Sequence, residues 1–535
     1  MASIIDVGVL HKDRTYVIKG GLIMLLLGAV GLLLALVCQK SASIASQGSG
    51  TKMRSALFAH INTLSFADLD KIGTPSLINR MTNDINQIQL AVAMLIRLVI
   101  RSPFLIIGAL IMSVTINVKI SLIFFAAAVI IALILYLIMS KSIPFFRQIQ
   151  KMLDKLTLLS RESLAGTRVI RAFGKQSHHI DNFKKANNDL AKTAIQVSRF
   201  SALLNPLTYV TANLGIICIV WFGAGFVNSG SIQTGEIIAL VSYMMQILLS
   251  MMVLANLVVI FTKASASAAR INEVFDCKPS VAEPVNKTIS IKKSSPKIEF
   301  KNVYFSYGDC KDVLKNINLN INAGEIVGII GTTGSGKTSL INLIPRFYDV
   351  TSGKVLIDGV NVKDYTFATL RGNIGIVPQN PVLITGTVKE NVVFGKKNIS
   401  DGEVNRALEI SQSLDFVETL PYKADTLLVR GGKNLSGGQK QRITIARAIA
   451  GSPQILIFDD STSALDFTTD AKLRKALAED AKNTTVIVVS QRVASVRSAN
   501  KIAVLDDGEI VGLDTHKNLY EQCKQYKEIC DSQNF

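Results

Sequence analysis

Residues 328–340 read GIIGTTGSGKTSL: an apolar strand, a glycine-rich loop and the first turn of a helix. In such a loop the glycines let backbone N–H groups close around phosphate oxygens, and the helix N-terminus adds positive potential there. The lysine of the loop reaches the β- and γ-phosphates, and the hydroxyl that follows it binds Mg²⁺. The alternative is a glycine-rich turn without a ligand. The stretch predicts a nucleotide-phosphate site built from nine residues: Gly331, Thr332, Thr333, Gly334, Ser335, Gly336, Lys337, Thr338 and Ser339.

A second apolar strand, ILIFDD at 455–460, ends in two acids. Four consecutive apolar residues are typical of a parallel strand that is buried on both faces. We expect Asp459, at the end of this strand, to hold Mg²⁺ through water. Asp460 follows it at the position from which a carboxylate would act as general base on the attacking water, which requires a reach of about 2.6–3.2 Å.

The motif LSGGQ opens a third candidate element, the helix KQRITIARAIA at 440–450. Its serine and glycine backbone form another anion-binding helix N-terminus. The glycine-rich loop at 331–339, called the P-loop below, already closes its own helix around the phosphates. We therefore expect the LSGGQ motif to serve a nucleotide bound by a partner molecule. The motif comprises Leu435, Ser436, Gly437, Gly438 and Gln439.

Along the chain the three motifs follow the order GTTGSGKT, LSGGQ, ILIFDD. With them in this order, residues 298–530 resemble the nucleotide-binding domain of ATP-binding cassette (ABC) transporters. The whole chain resembles a half-transporter of the exporter type, which implies ATP and Mg²⁺ as cofactors. The resemblance implies that Tyr307 stacks on adenine, the alternative being a core aromatic. It implies that Gln379 touches Mg²⁺ and senses the γ-phosphate, the alternative being a surface glutamine. It also implies a segment that crosses the dimer interface: Ser463, Ala464, Leu465 and Asp466.

Two positions depart from the family at the catalytic centre. Asp460 stands where the family has glutamate, and Gln491 stands where it has histidine. Aspartate is one methylene shorter, so we expect Asp460 to fall short of the attacking water, unless a small backbone shift restores its reach. Glutamine donates a hydrogen bond but carries no positive charge. Beside an intact P-loop and LSGGQ, the pair resembles the degenerate site of the family's heterodimeric exporters. The resemblance implies a site that binds ATP and hydrolyses it poorly, in one subunit of a heterodimer.

The first half of the chain is far more apolar than the second. Five runs, each long enough for the ~20 apolar residues that cross a bilayer, lie near 20–38, 98–117, 120–139, 206–227 and 236–262. Five Lys and Arg lie in 40–92 and twelve in 140–203, which predicts that both long connections are cytoplasmic. The net charge of +18 is spread between apolar runs rather than gathered in one patch, which argues against nucleic acid as a partner.

The predicted fold is multidomain: an all-α transmembrane domain at 1–276, a linker at 277–297 and an α/β P-loop ATP-binding cassette domain at 298–535. We expect a multi-pass protein of the cell membrane, in contact with the lipid bilayer, whose nucleotide-binding domain is cytoplasmic. The family has six spans per half, and MASIIDVGVLHKD resembles the segment that follows the first of them. We therefore expect the first span to be missing through truncation.

Residues 73–89 and 159–176 resemble the family's cytoplasmic connections, where short coupling helices insert into the nucleotide-binding domains. The expected function is ATP-driven export of a small amphipathic compound or lipid, with a second ABC half-transporter as partner. Two alternatives stay open at this point. One is a nucleotide-sensing regulatory subunit that moves no substrate, and the other is a nonfunctional truncated half-transporter.

Overall fold

The computed structural model describes residues 2–284, 296–308, 311–396, 398–461, 465–480 and 484–533. The chain divides into two compact units. The first comprises Met1–His60 and Pro75–Asp276, and the second comprises Ile61–Thr74 and Cys277–Phe535. Most of the predicted linker lies outside the described residues, as do Ser463 and Ala464 of the predicted interface segment.

Long helices dominate the chain up to residue 276. They are α1 (Arg14–Ile61), α2 (Phe66–Ile72), α3 (Thr74–Asn79), α4 (Ile85–Met94), α5 (Arg101–Ile116), α6 (Val118–Ala165), α7 (Thr167–Ala172), α8 (Gln176–Ala202), α9 (Leu204–Asn228) and α10 (Thr234–Asp276). Short π-helical segments lie at Ile4–Val9, Arg80–Asp84 and Leu95–Val99. The last two join α3, α4 and α5 into one run.

Among the residues that the structure describes, five helical segments are long and apolar enough to cross a membrane. They are Arg14–Ile61, Thr74–Ile116, Val118–Ala165, Gln176–Asn228 and Thr234–Asp276. Each overlaps one of the five apolar runs, so the five predicted spans are confirmed.

Small residues let the membrane helices approach one another closely. Helices α5, α6, α9 and α10 share a buried core that includes Phe124, Ile219 and Met244. A Cβ added at Gly215 of α9 would lie 3.0 Å from Cε of Met244 on α10, so glycine permits the approach of these two helices. The most apolar stretch of α1, by contrast, has no residue buried within the chain.

A buried carboxylate joins the run α3–α5 to α10. Asp84, only 2% exposed, accepts hydrogen bonds from Oγ of Ser267 at 2.9 Å and from Nε of Arg270 at 2.9 Å. Arg270 also donates through Nη2, which makes the pairing bidentate. A second ion pair, between Arg80 and Glu273 at 2.8 Å, joins the same two segments, but the Glu273 side chain is 68% exposed.

The second unit interleaves strands and helices. The strands are β1 (Ile298–Phe305), β2 (Leu314–Ile321), β3 (Ile326–Gly331), β4 (Ser352–Ile357), β5 (Val360–Asn361), β6 (Ile374–Val377), β7 (Gly386–Thr387), β8 (Leu427–Leu428), β9 (Ile455–Asp459), β10 (Thr485–Val489), β11 (Lys501–Asp506) and β12 (Glu509–Asp514). The helices are α11 (Lys337–Asn342), α12 (Phe367–Gly372), α13 (Val388–Val392), α14 (Asp401–Ile410), α15 (Leu414–Glu418), α16 (Gly437–Ile449), α17 (Phe467–Asp480), α18 (Val493–Val496), α19 (His516–Gln522) and α20 (Lys524–Ser532).

The central sheet has the strand order β12-β11-β3-β10-β9-β6, in which the five strands from β11 to β6 are parallel. A four-stranded antiparallel sheet, β2-β1-β4-β5, packs its apolar residues into a core shared with β3 and α11. Because parallel strands end at the same edge of a sheet, the segments after β3, β6, β9 and β10 meet at one edge, where α/β folds bind ligands.

The short helix α2 lies directly before the first of the two regions expected to contain a coupling helix. Residues 75–89 belong to the first unit, whereas α2 belongs to the second. Ser65 caps α2 in a reciprocal capping box with Asp68, a sequence signal that could have located the helix. The second expected region, 159–176, does contain a short helix, α7.

We expect Asp84→Asn to destabilise the membrane unit measurably. The substitution removes the charge that faces the half-exposed Arg270 guanidinium, and losing such a buried partner costs about 1–2 kcal/mol after solvent screening. The melting temperature of the detergent-solubilised chain should fall by roughly 2–8 °C. The matched control Glu273→Gln, at the exposed pair, should lower it by less than about 1 °C. Equal shifts for the two variants would contradict this account.

Candidate nucleotide-binding site

The P-loop follows β3 and leads into α11, and two of its glycines are required, one by a close backbone contact and one by its backbone conformation. A Cβ at Gly331 would lie 2.1 Å from the carbonyl oxygen of Leu505, so no side chain fits there. Gly336 has φ 99°, a left-handed conformation that favours glycine, and caps the N-terminus of α11. This geometry turns the loop back over the helix start, as a phosphate-binding loop requires.

Lys337 is held inside the loop. Its Nζ donates to the carbonyl oxygens of Gly331 at 2.9 Å and Thr332 at 2.6 Å, and to Oγ of Ser335 at 3.3 Å. Burial lowers the pKa of this ammonium group, whereas the negative charges of Asp460 and Asp459 raise it by less. A nucleotide polyphosphate brought to the loop would add negative charge and favour the protonated lysine.

Thr338 and Asp459 form the oxygen-rich part of the site. The Thr338 hydroxyl donates to Oδ1 and Oδ2 of Asp459 at 3.1 and 3.2 Å. Asp459 is 8% exposed, and burial raises the pKa of its carboxyl, although the hydrogen bond from Thr338 lowers it. A buried carboxylate beside a hydroxyl, at the edge of a phosphate loop, fits Mg²⁺, which binds one or two protein oxygens together with substrate phosphates. When bound, the ion would neutralise phosphate charge between these two residues.

Asp460 turns away from the strand that it follows. Its φ is 43°, in the left-handed region that aspartate enters more readily than most residues, and its N–H donates to the carbonyl of Val489 at 2.9 Å. Its carboxylate accepts hydrogen bonds from the backbone of Gln491 and the hydroxyl of Ser490, and Arg492 lies close by. Burial raises its pKa although these contacts oppose the shift. Its oxygens therefore already serve the neighbouring loop.

The loop after β10, residues 490–493, runs between the P-loop and the two acids, because β10 lies between β3 and β9 in the sheet. We call it the switch loop. Oε1 of Gln491 accepts from the hydroxyl of Thr333 on the P-loop at 3.4 Å. The backbone N–H of Arg492 donates to Oγ of Ser490 at 3.0 Å. A neutral side chain thus faces the P-loop, while the adjacent cation lies near Asp460.

Tyr307 lies in an aromatic group at the side of the P-loop. Its ring meets Tyr348 edge-on at 5.2 Å and Phe305 at 4.8 Å, and its hydroxyl is 2.9 Å from Oγ of Ser339. The residue is 38% exposed, which leaves ring surface for an adenine to stack on.

The aromatic group continues to the segment of α2. The Tyr348 hydroxyl donates to Oδ2 of Asp70 at 2.7 Å, and the ring of Phe66 packs on Phe347 at 4.6 Å. Burial and the Asp70 carboxylate raise the pKa of Tyr348, which keeps it a neutral donor. Sequence reasoning missed Tyr348 and Asp70, since their contact joins residues 278 positions apart and no motif marks it.

Three further predicted site residues lie within the described part of the chain: Gln379, Leu465 and Asp466. Gln379, two residues after β6, is exposed at the same sheet edge as Asp459. Asp466 accepts from the backbone N–H and the hydroxyl of Thr469 at 2.9 and 2.7 Å, and so caps α17, while Leu465 is buried in the core.

The LSGGQ motif forms the start of α16. Ser436 accepts a hydrogen bond from the N–H of Gln439, whose side-chain oxygen accepts from the N–H of Ser436 at 2.8 Å. Gly437 and Ser436 are exposed, while Leu435 anchors the motif in the core. The helix N-terminus is therefore rigid and open to an anion from outside the chain.

Both halves of the chain match families of known proteins. Residues 1–251 match the ABC transporter transmembrane region, and residues 314–463 match the ABC transporter family. An uncharacterized ABC transporter ATP-binding protein of Mycobacterium tuberculosis is 35% identical over 538 residues, which cover 100% of this chain and 92% of the relative. An ATP-dependent lipid A-core flippase of Syntrophus aciditrophicus is 33% identical over 480 residues, 89% of this chain and 79% of the relative.

A solved structure has the same fold. The structure of a bacterial Atm1-family ABC exporter with ATP bound aligns with a TM-score of 0.80 at 23% identity, over 98% of this chain and 92% of that chain. The helical membrane unit followed by an α/β cassette is thus the exporter arrangement that the sequence predicted. The chain belongs to the ABC transporter family: it is an exporter-type half-transporter, a multi-pass membrane protein with a cytoplasmic ATP-binding domain.

Proposed function

We propose that this chain is one subunit of a heterodimeric exporter, that it binds Mg-ATP stably at its own P-loop, and that it hydrolyses this ATP slowly. The observation that carries the proposal is the conformation of Asp460. Its left-handed backbone and its hydrogen bonds to Ser490 and Gln491 commit the carboxylate to the switch loop. A general base must instead reach the attacking water.

The charge at the switch position supports the same proposal. Gln491 stabilises a γ-phosphate by hydrogen bonding alone, whereas a protonated histidine would also stabilise the charge that develops in the transition state. The nearby cation, Arg492, lies close to Asp460 and lowers the pKa that burial has raised. A carboxylate that bonds to the switch loop and an uncharged side chain at the switch position together fit a site that retains nucleotide.

The LSGGQ motif supports the second half of the proposal. An exposed, capped helix N-terminus at Ser436 and Gly437 fits a nucleotide presented by another subunit. We infer that this chain completes the hydrolytic site of its partner, while the partner supplies the motif for the P-loop of this chain. The unburied apolar stretch of α1 is consistent with contacts to lipid and to a second membrane domain.

The substrate class that we propose is a small amphipathic compound or lipid. The apolar membrane spans and the named activity of the flippase relative favour it over a strongly polar substrate. A regulatory subunit that senses nucleotide without moving substrate is the rival proposal. Both rivals bind ATP, so only substrate movement separates them.

Thr338→Val should weaken the Mg²⁺-dependent part of ATP binding. The variant keeps the side-chain shape but loses the hydroxyl that touches Asp459. We expect ATP affinity in Mg²⁺ to fall roughly tenfold, while affinity in EDTA changes by less than about twofold. Thr444→Val is the matched control, because that buried hydroxyl donates to the Lys440 carbonyl within α16. Calorimetry on the full-length chain measures both affinities, and equal losses in Mg²⁺ and EDTA would count against the metal role.

Restoring the family residues should restore hydrolysis. The double variant Asp460→Glu with Gln491→His should raise ATP turnover of the reconstituted chain at least about tenfold, since a positioned general base contributes ~10²–10⁴-fold. Asp460→Asn, the isosteric control, should change the basal rate by less than about threefold. A large loss of turnover in Asp460→Asn would mean that Asp460 already acts as the base, and would overturn the proposal.

Vesicle flux separates export from regulation. The chain co-purified with its partner half-transporter should move a fluorescent phospholipid or a soluble amphipathic dye across vesicle membranes when ATP is supplied. Lys337→Ala in this chain should abolish that movement, because the lysine anchors the phosphates. ATP hydrolysis by the complex without movement of either probe would favour the regulatory role.

A further inference from the structure

The last described helix, α20, packs beneath the switch loop. Tyr526 and Cys530, four residues apart on one face of α20, are fully buried. They share a core cluster with Val493 and Val496 of α18 and with Ile502 of β11. The hydroxyl of Tyr526 also lies 2.8 Å from Nδ1 of His516, at the start of α19. The end of α20 is therefore fixed relative to the loop.

Gln533, directly after α20, contacts the switch loop at two points. Its Nε2 donates to the carbonyl oxygen of Gln491 at 2.7 Å, and its Oε1 accepts from the N–H of Val493 at 2.9 Å. A glutamine carboxamide carries the same donor and acceptor as a peptide group. The side chain thus acts as an additional peptide unit, which bridges a carbonyl and an N–H two residues apart and holds the turn between them.

We infer that Gln533 is a positioning residue for the nucleotide site: it fixes the backbone of the switch loop so that the Gln491 side chain faces the P-loop. Hydrogen bonds connect Gln533 to the P-loop through Gln491 without a gap. Gln533 holds the Gln491 carbonyl, and the Gln491 side chain meets the Thr333 hydroxyl on the P-loop at 3.4 Å. The same turn carries the Arg492 guanidinium and the Gln491 N–H, both of which act on Asp460.

The inference goes beyond the proposed heterodimer, but it rests on the proposed place of Gln491 at the γ-phosphate. It implies that the C-terminal segment of the chain contributes to discrimination between ATP and ADP, which differ only in that phosphate. Loosening the switch loop should weaken ATP binding while ADP binding, which depends on the P-loop backbone, stays nearly unchanged.

Two variants of Gln533, with a control variant of the neighbouring Ser532, test the positioning role. Gln533→Leu removes both hydrogen bonds at similar volume. Gln533→Glu keeps an acceptor for the Val493 N–H but loses the donor to the Gln491 carbonyl. Ser532→Ala is the control, because that hydroxyl donates to the Ile529 carbonyl within α20.

Hydrogen exchange on the full-length chain in lipid nanodiscs directly reports how firmly the switch loop is held. Exchange at the Val493 amide should rise roughly two- to tenfold in Gln533→Leu, the effect of one lost hydrogen bond, and stay near the parent value in Gln533→Glu and Ser532→Ala. Unchanged exchange in Gln533→Leu would overturn the inference. Loss of protection throughout 524–533 in both Gln533 variants would also overturn the inference. The packing of α20, rather than the hydrogen bonds of the Gln533 side chain, would then hold the loop.

Nucleotide affinities of the same samples test the functional part. The ratio of ATP to ADP affinity should fall roughly two- to tenfold in both Gln533 variants and not in Ser532→Ala. An unchanged ratio in a variant whose loop exchange has risen would overturn the positioning role. If Gln533→Leu alters the ratio as predicted but the chain still hydrolyses ATP briskly, the proposed slow site fails and the positioning role stands.

Discussion

The hydrogen-bonded register of β3, β10 and β9 is the constraint on which the nucleotide site depends. Val489 of β10 is paired with Ile329 on one side and Asp459 on the other, so the P-loop, the switch loop and the two acids must leave the sheet at the same level. Backbone bonds continue the ladder past the strand ends, from Ser490 N–H to the Ile329 carbonyl and from Asp460 N–H to the Val489 carbonyl. The side chains of the site therefore have little freedom to rearrange independently.

That constraint gives the two acids different surroundings. Asp459 ends its strand facing Thr338, where a buried carboxylate and a hydroxyl suit a magnesium ion. One residue later the backbone turns into the left-handed region, and Asp460 bonds to the neighbouring loop instead. Binding and hydrolysis depend on separate groups, so a chain can keep the first and lose the second. The LSGGQ helix start, in turn, is exposed at Ser436 and Gly437.

Local sequence signals predicted most of the fold and much of the site. Motif spacing and apolar length predicted the P-loop, the strand that ends in Asp459, the helix opened by LSGGQ and the five spans, because each depends on contiguous residues. The capping box at Ser65 marks the start of α2, a short helix that lies just before the region 73–89 and that the sequence analysis did not single out. The contacts of Tyr348 with Asp70 and of Gln533 with the switch loop could not be predicted, because each joins residues far apart in the chain through hydrogen bonds that no periodicity encodes.

The central claim is that ATP bound at this P-loop persists. It is tested most directly by following the fate of radiolabelled ATP bound to the full-length chain in lipid nanodiscs with Mg²⁺, quenching samples over seconds to minutes. The account predicts that the bound nucleotide is recovered as intact ATP over that period. Conversion to ADP with many turnovers at ordinary enzyme rates, about 1 s⁻¹ or faster, would contradict it.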